Sequence, residues 1–110
     1  MGLMMKRGEV WWVDFDPAVG SEICKTRPAV IISNDTANKF ISRVVVIPFT
    51  SNVSRLYPGE AIVTVNGTPN KLMADQIMTA DKKRLKKCIG VLSSDDMEKA
   101  EDTIRLHLGL

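Results

Sequence analysis

The stretch Gly8-Glu9-Val10-Trp11-Trp12-Val13-Asp14-Phe15 carries large apolar side chains at Trp11, Val13 and Phe15, every second position. A period of two places these three on one face of a strand, and the β-branched and aromatic content suits that state. Val10 and Trp12 fall on the opposite face. A large aromatic there predicts that this face is covered as well, by a second subunit. Ala29-Val30-Ile31-Ile32-Ser33 is a continuous apolar run, which marks a strand buried on both faces. Asn34-Asp35 breaks it, and Asp35 is placed to cap one short helical turn ending at Phe40. Arg43 to Thr50 reads as a third strand, with Pro48 expected at a bulge or an edge because it cannot donate to a ladder. Ala61 to Val65 is a fourth strand, closed by Asn66-Gly67, and Leu72 to Met78 and Cys88 to Leu92 supply two more.

The period then changes. Met97, Ala100, Ile104 and Leu108 recur at helical spacing. Ser94 or Asp95 can cap this helix, Asp95 and Glu98 have the offset of a capping box, and Gly109 is placed as its stop. About six short strands followed by one helix predict a mainly β fold: a small barrel with the helix packed across it.

Two connections stand out. Asp16 to Thr26 is long for a link between paired strands, and long loops in small domains are often functional. Arg27-Pro28 ends it where the buried second strand begins. Asn52 to Gly59 is polar, with Pro58-Gly59 its clearest turn signal.

Composition limits the possibilities without choosing among them. At 110 residues, 45% hydrophobic and 25% charged, the chain suits one globular domain spanning 1–110. No apolar run approaches the roughly 20 residues that cross a bilayer. Met1 to Arg7 has no apolar core followed by a cleavage site, so it does not read as a signal peptide. Cys24 and Cys88 form no CxxC pair and read as free thiols of a cytoplasmic chain. A net charge of +2 does not establish a nucleic-acid partner. Its distribution is uneven, with Lys82, Lys83, Arg84, Lys86 and Lys87 in one segment and acidic residues gathered near the C-terminus. That basic segment reads as a phosphate-facing surface or as a solvated strand edge, and charge alone favours the edge.

The chemistry-bearing residues are few. His107 is the single histidine, and there is no HxxxH, DxD or Cys/His cluster, so neither a metal nor a cofactor is expected. A glycine-rich phosphate loop is also missing. What remains is arginine and hydroxyl groups at strand ends: Arg27, and Thr50 with Ser51. Taken alone, these are ordinary strand-end residues.

In order along the chain, RGEVWWVDFDPAVGSE, RPAVIIS, Pro48-Phe49-Thr50-Ser51, Ala74-Asp75-Gln76-Ile77, and then Asp81, Arg84-Leu85, Gly90 and Leu92 resemble the MazF/PemK family. Its members are the toxins of bacterial type II toxin–antitoxin pairs. The resemblance implies an SH3-like β-barrel with a C-terminal helix, usually a homodimer. It implies a metal-independent endoribonuclease that cuts single-stranded RNA, including mRNA, and so inhibits translation and growth. A cognate antitoxin is the implied partner. The family's essential arginine and threonine fall on Arg27 and Thr50.

The physics of RNA cleavage suits these two residues. RNA carries its own nucleophile, the 2′-hydroxyl. Arg27 can fork onto two phosphate oxygens and Thr50 can donate to another, or position the 2′-hydroxyl. Arginine does not give up its proton in proteins, so the base must be another group, and Glu22 is the candidate. Lys25, Ser51, Gln76, Lys82, Lys83 and Lys86 are the expected RNA contacts, with Gln76 alternatively bracing the site. Many family members have Gln and glycines where this chain has Ile23, Cys24 and Lys25, which predicts a stiffer loop. Two rivals share the fold. A gyrase-poisoning relative uses an apolar aromatic tail, whereas this chain ends Leu108-Gly109-Leu110. A pure RNA-binding module would show exposed stacking aromatics, and here aromatics are 5% of residues, mostly in expected core strands.

Overall fold

The computed structural model describes residues 5–110. Part of the Met1–Arg7 segment read above therefore lies outside the described residues. Seven strands, β1 (Glu9–Asp14), β2 (Thr26–Ile31), β3 (Arg43–Thr50), β4 (Glu60–Val65), β5 (Thr68–Met73), β6 (Met78–Asp81) and β7 (Leu85–Val91), curl into a half-barrel. Helix α1 (Asp35–Phe40) links β2 to β3, and α2 (Ser94–Leu108) closes the chain. The strand order is β4-β5-β3-β2-β1-β7, with β6 also paired to β3, and every pairing is antiparallel.

The central strands are buried on both faces, and two cores result. One gathers Val10, Val30, Ile47, Phe49, Val63, Leu72 and Ala100, with Met97 and Ile104 of α2 packed against it. The other gathers Trp11, Val13, Phe15, Ala29, Ile31, Val44 and Val46. Each of β1, β2 and β3 therefore contributes alternate side chains to both. Full burial of one such side chain contributes about 1.5–3 kcal/mol. The expected core face of β1 is present. Val10, on its other face, is covered by this chain's own helix and sheet and needs no second subunit, while Trp12 stays 38% exposed.

Pro48 lies at neither an edge nor a bulge. It is fully buried in a central strand, opposite Ala29 of β2. On its other flank β3 pairs with β6 up to Val46 and with β5 from Phe49 onward. Pro48 thus occupies the interruption where β3 changes partner, where one ladder bond is dispensable.

Three further expectations change. The single strand expected over Leu72 to Met78 is broken by a 3-10 turn at Ala74–Gln76, and β7 begins at Leu85, three residues before Cys88. Asn34, not Asp35, caps α1, accepting from the Ala37 N–H at 2.8 Å; the Asp35 carboxylate instead accepts from the Arg7 N–H at 2.7 Å. Ser93 caps α2 in place of Ser94 or Asp95, accepting from the Asp96 N–H at 3.1 Å. This frees the Asp96 carboxylate to accept from the Thr64 N–H of β4 at 2.9 Å, which ties the helix to the sheet. Gly109, at φ +72°, ends α2 as expected, its N–H bonded to the last carbonyls. Leu108, the last member of the apolar stripe, is 51% exposed.

Candidate RNA-cleavage site

The β1–β2 connection is shaped from its base upward. The Phe15 N–H donates to the Lys25 carbonyl and the Lys25 N–H to Asp16 Oδ1, both at 2.9 Å, so the loop closes on itself like a clasp. Lys25 holds φ +65°, a left-handed conformation uncommon for a residue with a side chain. Arg84 reaches in from the turn before β7, and its Nη1 donates to the carbonyls of Asp14 (3.0 Å) and Asp16 (2.6 Å). Gln76 holds the far side: its Oε1 accepts from the Ile23 N–H at 3.2 Å and its Nε2 donates to the Ser21 carbonyl at 3.5 Å. Of its two expected roles, these bonds match bracing. Glu22 is exposed, and its Oε1 accepts from the Val19 N–H at 2.7 Å, tightening the loop tip. Glu22, Gln76, Ile23, Pro17 and Arg84 line a cleft of about 320 Å³.

Arg27 and Thr50 stand at the ends of adjacent strands. The β2–β3 ladder ends at the Ala29–Pro48 pair, and Arg27 lies two residues past it on β2 and Thr50 two residues past it on β3. Val13 faces Arg27 on one side and Lys71 of β5 faces Thr50 on the other. Directly opposed residues share a face, with Cβ atoms about 4.5–5.5 Å apart. The pairs Val13–Arg27 and Thr50–Lys71 thus flank the end of the β2–β3 ladder. Arg27 is half-buried, and its Nε donates to the Cys24 carbonyl at 3.3 Å, which leaves both Nη groups for a ligand. Among the described residues no carboxylate pairs with it. Thr50 Oγ1 accepts from the Asn52 N–H at 3.3 Å, which occupies a lone pair and leaves the hydroxyl proton to be donated. Ser51 follows, exposed. Neither Arg27 nor Thr50 lines the Glu22–Gln76 cleft, and the link between them is the chain itself, through the loop from Asp14 to Arg27.

The basic segment divides. Lys82 donates through Nζ to the Asn38 carbonyl beside α1, and its N–H bonds the Ser42 carbonyl. It therefore sits by the Arg43 end of β3, the opposite end of an eight-residue strand from Thr50, about 23 Å along it. Lys83 shares that turn, exposed. Lys86 lies on the edge strand β7, with its Nζ bonded back to the Lys83 carbonyl at 3.0 Å. The structure thus ties Gln76 to the loop that carries Glu22 and Lys25, sets Arg27 at the end of that loop and Thr50 and Ser51 at the end of β3, and leaves Lys82 at the other end of β3. Lys71 is a neighbour of Thr50 that periodicity gave no reason to select; a lysine at a 9% exposed position of β5 is the signal that only packing supplies.

A curled half-barrel sheet with a terminal helix defines a class of small, mainly β domains. Residues 6–108 match the family model described as PemK-like, MazF-like toxin of type II toxin–antitoxin system, and the chain belongs to that family. It is 39% identical to the protein named endoribonuclease MazF9 of Mycobacterium tuberculosis (strain ATCC 25618 / H37Rv), across 97% of this chain and 98% of that one. Its fold matches the crystal structure of MazF from Deinococcus radiodurans with a TM-score of 0.88 at 22% identity, covering 99% of this chain and 100% of the other. It also matches an endoribonuclease from Mycobacterial species, solved in complex with its cognate antitoxin, with a TM-score of 0.80 at 24% identity, covering 96% and 95%. No described helix is long and apolar enough to cross a membrane.

Proposed function

We propose that this chain is the toxin of a type II toxin–antitoxin pair and a cytoplasmic endoribonuclease that cuts single-stranded RNA without a metal. Family membership and the likeness to MazF9 support the activity and the antitoxin partner. The observation that supports the site assignment is that Arg27 and Thr50 both lie two residues past the last β2–β3 pair, with the Arg27 fork and the Thr50 proton unclaimed by the fold.

The 2′-hydroxyl attacks the adjacent phosphorus, and the 5′-oxygen of the next nucleotide leaves. Negative charge grows on the phosphate oxygens as the new bond forms. Arg27 meets the two non-bridging ones through its Nη groups and Thr50 donates to one of them. Glu22 takes the 2′-hydroxyl proton through Oε2, the oxygen not engaged by Val19. A carboxylate becomes a stronger base when a bound ligand takes it out of water. Gln76 and Arg84 hold the loop that carries Glu22. Lys25 and Ser51 contact the RNA backbone, and Lys82, Lys83 and Lys86, on the turn before β7 and on that edge strand, add long-range attraction.

The test is cleavage of a long single-stranded RNA in excess EDTA, with Arg27→Ala and Thr50→Ala beside the wild type. Both variants should melt within a few degrees of wild type and lose about 10²–10³-fold in rate. Absence of cleavage of any RNA by the wild type refutes the nuclease reading, loss of cleavage on adding EDTA refutes the metal-free route, and a fully active Thr50→Ala removes Thr50 from the site.

A further inference from the structure

Tyr57 is the chain's single tyrosine. It lies outside the core, in the segment between β3 and β4, and is 51% exposed. An exposed aromatic ring is ordinarily free to swing, but this one is held at two points and its backbone at a third. Its N–H donates to Glu60 Oε1 at 2.7 Å. Its hydroxyl accepts from Arg55 Nη1 at 3.2 Å. The Lys71 ammonium lies 5.9 Å from the ring centroid, a cation–π distance.

Lys71 is itself fixed. Its Nζ pairs with Glu60 Oε2 at 3.5 Å and donates to the Arg55 carbonyl at 3.1 Å. Its backbone faces Thr50 across the β3–β5 pair. The Lys71–Glu60 pair therefore anchors the Tyr57 ring to the same strand end that carries Thr50. The ring also borders a shallow cleft of about 430 Å³ between this segment and α2, floored by Leu56 and Leu106 and edged by Thr103.

We propose that Tyr57 is a stacking platform for one base of the RNA, a few nucleotides from the scissile phosphate, and that it helps to set the sequence at which the chain cuts. Three features lead to this reading. A ring held rigid before binding loses little freedom when a base stacks on it. The Arg55 guanidinium stands beside it, bonded to its hydroxyl and unpaired with any carboxylate among the described residues, while Lys71 is held against the ring by Glu60. Single-stranded RNA presents unstacked bases, and aromatic faces are what capture them. The proposal rests on Thr50 marking the cleavage point and adds a residue that acts by binding, not by chemistry.

The test maps cut ends from a randomised single-stranded RNA pool for wild type, Tyr57→Phe, Tyr57→Leu, Phe40→Leu and Thr50→Ala, each checked for an unchanged melting temperature. Tyr57→Leu should lower kcat/KM by about tenfold, chiefly through KM, and flatten the base preference at one position of the cut site. Tyr57→Phe should keep both. Phe40 is a fair control: Lys39 lies 5.4 Å from its ring centroid and it is 76% exposed, but it belongs to α1. Its variant should cut like wild type. A Tyr57→Leu protein with unchanged rate and unchanged preference overturns the proposal. A fully active Thr50→Ala overturns the cleavage-point reading beneath it, and the two failures are read from different variants.

Discussion

The hydroxyl of Thr50 is already an acceptor within the fold, and the guanidinium of Arg27 is already held by Nε. Both residues are oriented before any substrate arrives, and each keeps free the atoms a phosphate needs. The carboxylate of Glu22 is divided in the same way, one oxygen holding the loop tip and one left over. Glu22→Gln keeps the oxygen that Val19 uses and abolishes proton acceptance. It should remove the acidic limb of the pH–rate profile and slow cleavage by about 10²–10⁴-fold. An unchanged acidic limb would exclude Glu22 as the base. Residue by residue, the sequence exposed the candidates only through ordered resemblance. Composition left Arg27 and Thr50 as ordinary strand-end groups, because nothing local tells a phosphate fork from a surface arginine. Lys71 and Tyr57 were illegible, since their significance lies in a pairing between strands twenty residues apart.

Among the elements, α2 is fixed by chemistry at its first turn. Asp96 is 9% exposed and is the partner of the Thr64 N–H. Asp96→Ala removes the acceptor of an N–H on an exposed residue, which water can satisfy, and should cost about 1 kcal/mol. In thermal unfolding followed by circular dichroism this is a drop of roughly 4–8 °C per kcal/mol for a chain of this size. Asp96→Asn keeps an acceptor oxygen and should lose less. The helix itself was legible from Met97, Ala100 and Ile104, and its stop from Gly109. Its cap was not, because Ser93, Ser94 and Asp95 are all good caps by residue type, and only the demand of Thr64 for Asp96 decides among them. The strands were legible where β-branched residues run together. They failed at Leu72 to Met78, where apolar residues on both sides of Asp75-Gln76 hide the 3-10 turn that delivers Gln76 to the loop.

For the whole molecule, Arg7 joins three parts of the chain. Its N–H donates to Asp35 at 2.7 Å, its Nε donates to the Ile32 carbonyl at 3.0 Å, and its Nη2 pairs with Glu101 of α2 at 2.7 Å. The hydrogen bond from the Arg7 N–H holds the Asp35 carboxyl below its ordinary value of 3.8. A depressed carboxyl contributes stability above its unfolded value and loses it as the pH falls through the folded one. Asp35→Asn should therefore be the less stable protein in urea titrations near neutrality, with the difference closing in acid below the ordinary value. The half-exposed Trp12 is the surface we expect a second copy to cover. Sedimentation should give twice the 12.2 kDa of one chain, and Trp12→Arg should shift it toward one. The mainly β architecture was legible from many short strands and one helix. The doubled interior was not, since the second face of β1 was expected to be covered by a second subunit and the chain's own helix and sheet cover Val10 there.

That doubled interior has a consequence for accuracy. β1, β2 and β3 place odd and even residues in different cores. A slip of β3 by one residue would turn each of its side chains into the wrong core, so neither interior tolerates it. The placing of Arg27 and Thr50 two residues past the last β2–β3 pair depends on the same register. Its fidelity is enforced far from the RNA, by Val30, Ile31, Val46 and Ile47, and the loops around the site can vary in sequence without blurring the distance across which it works.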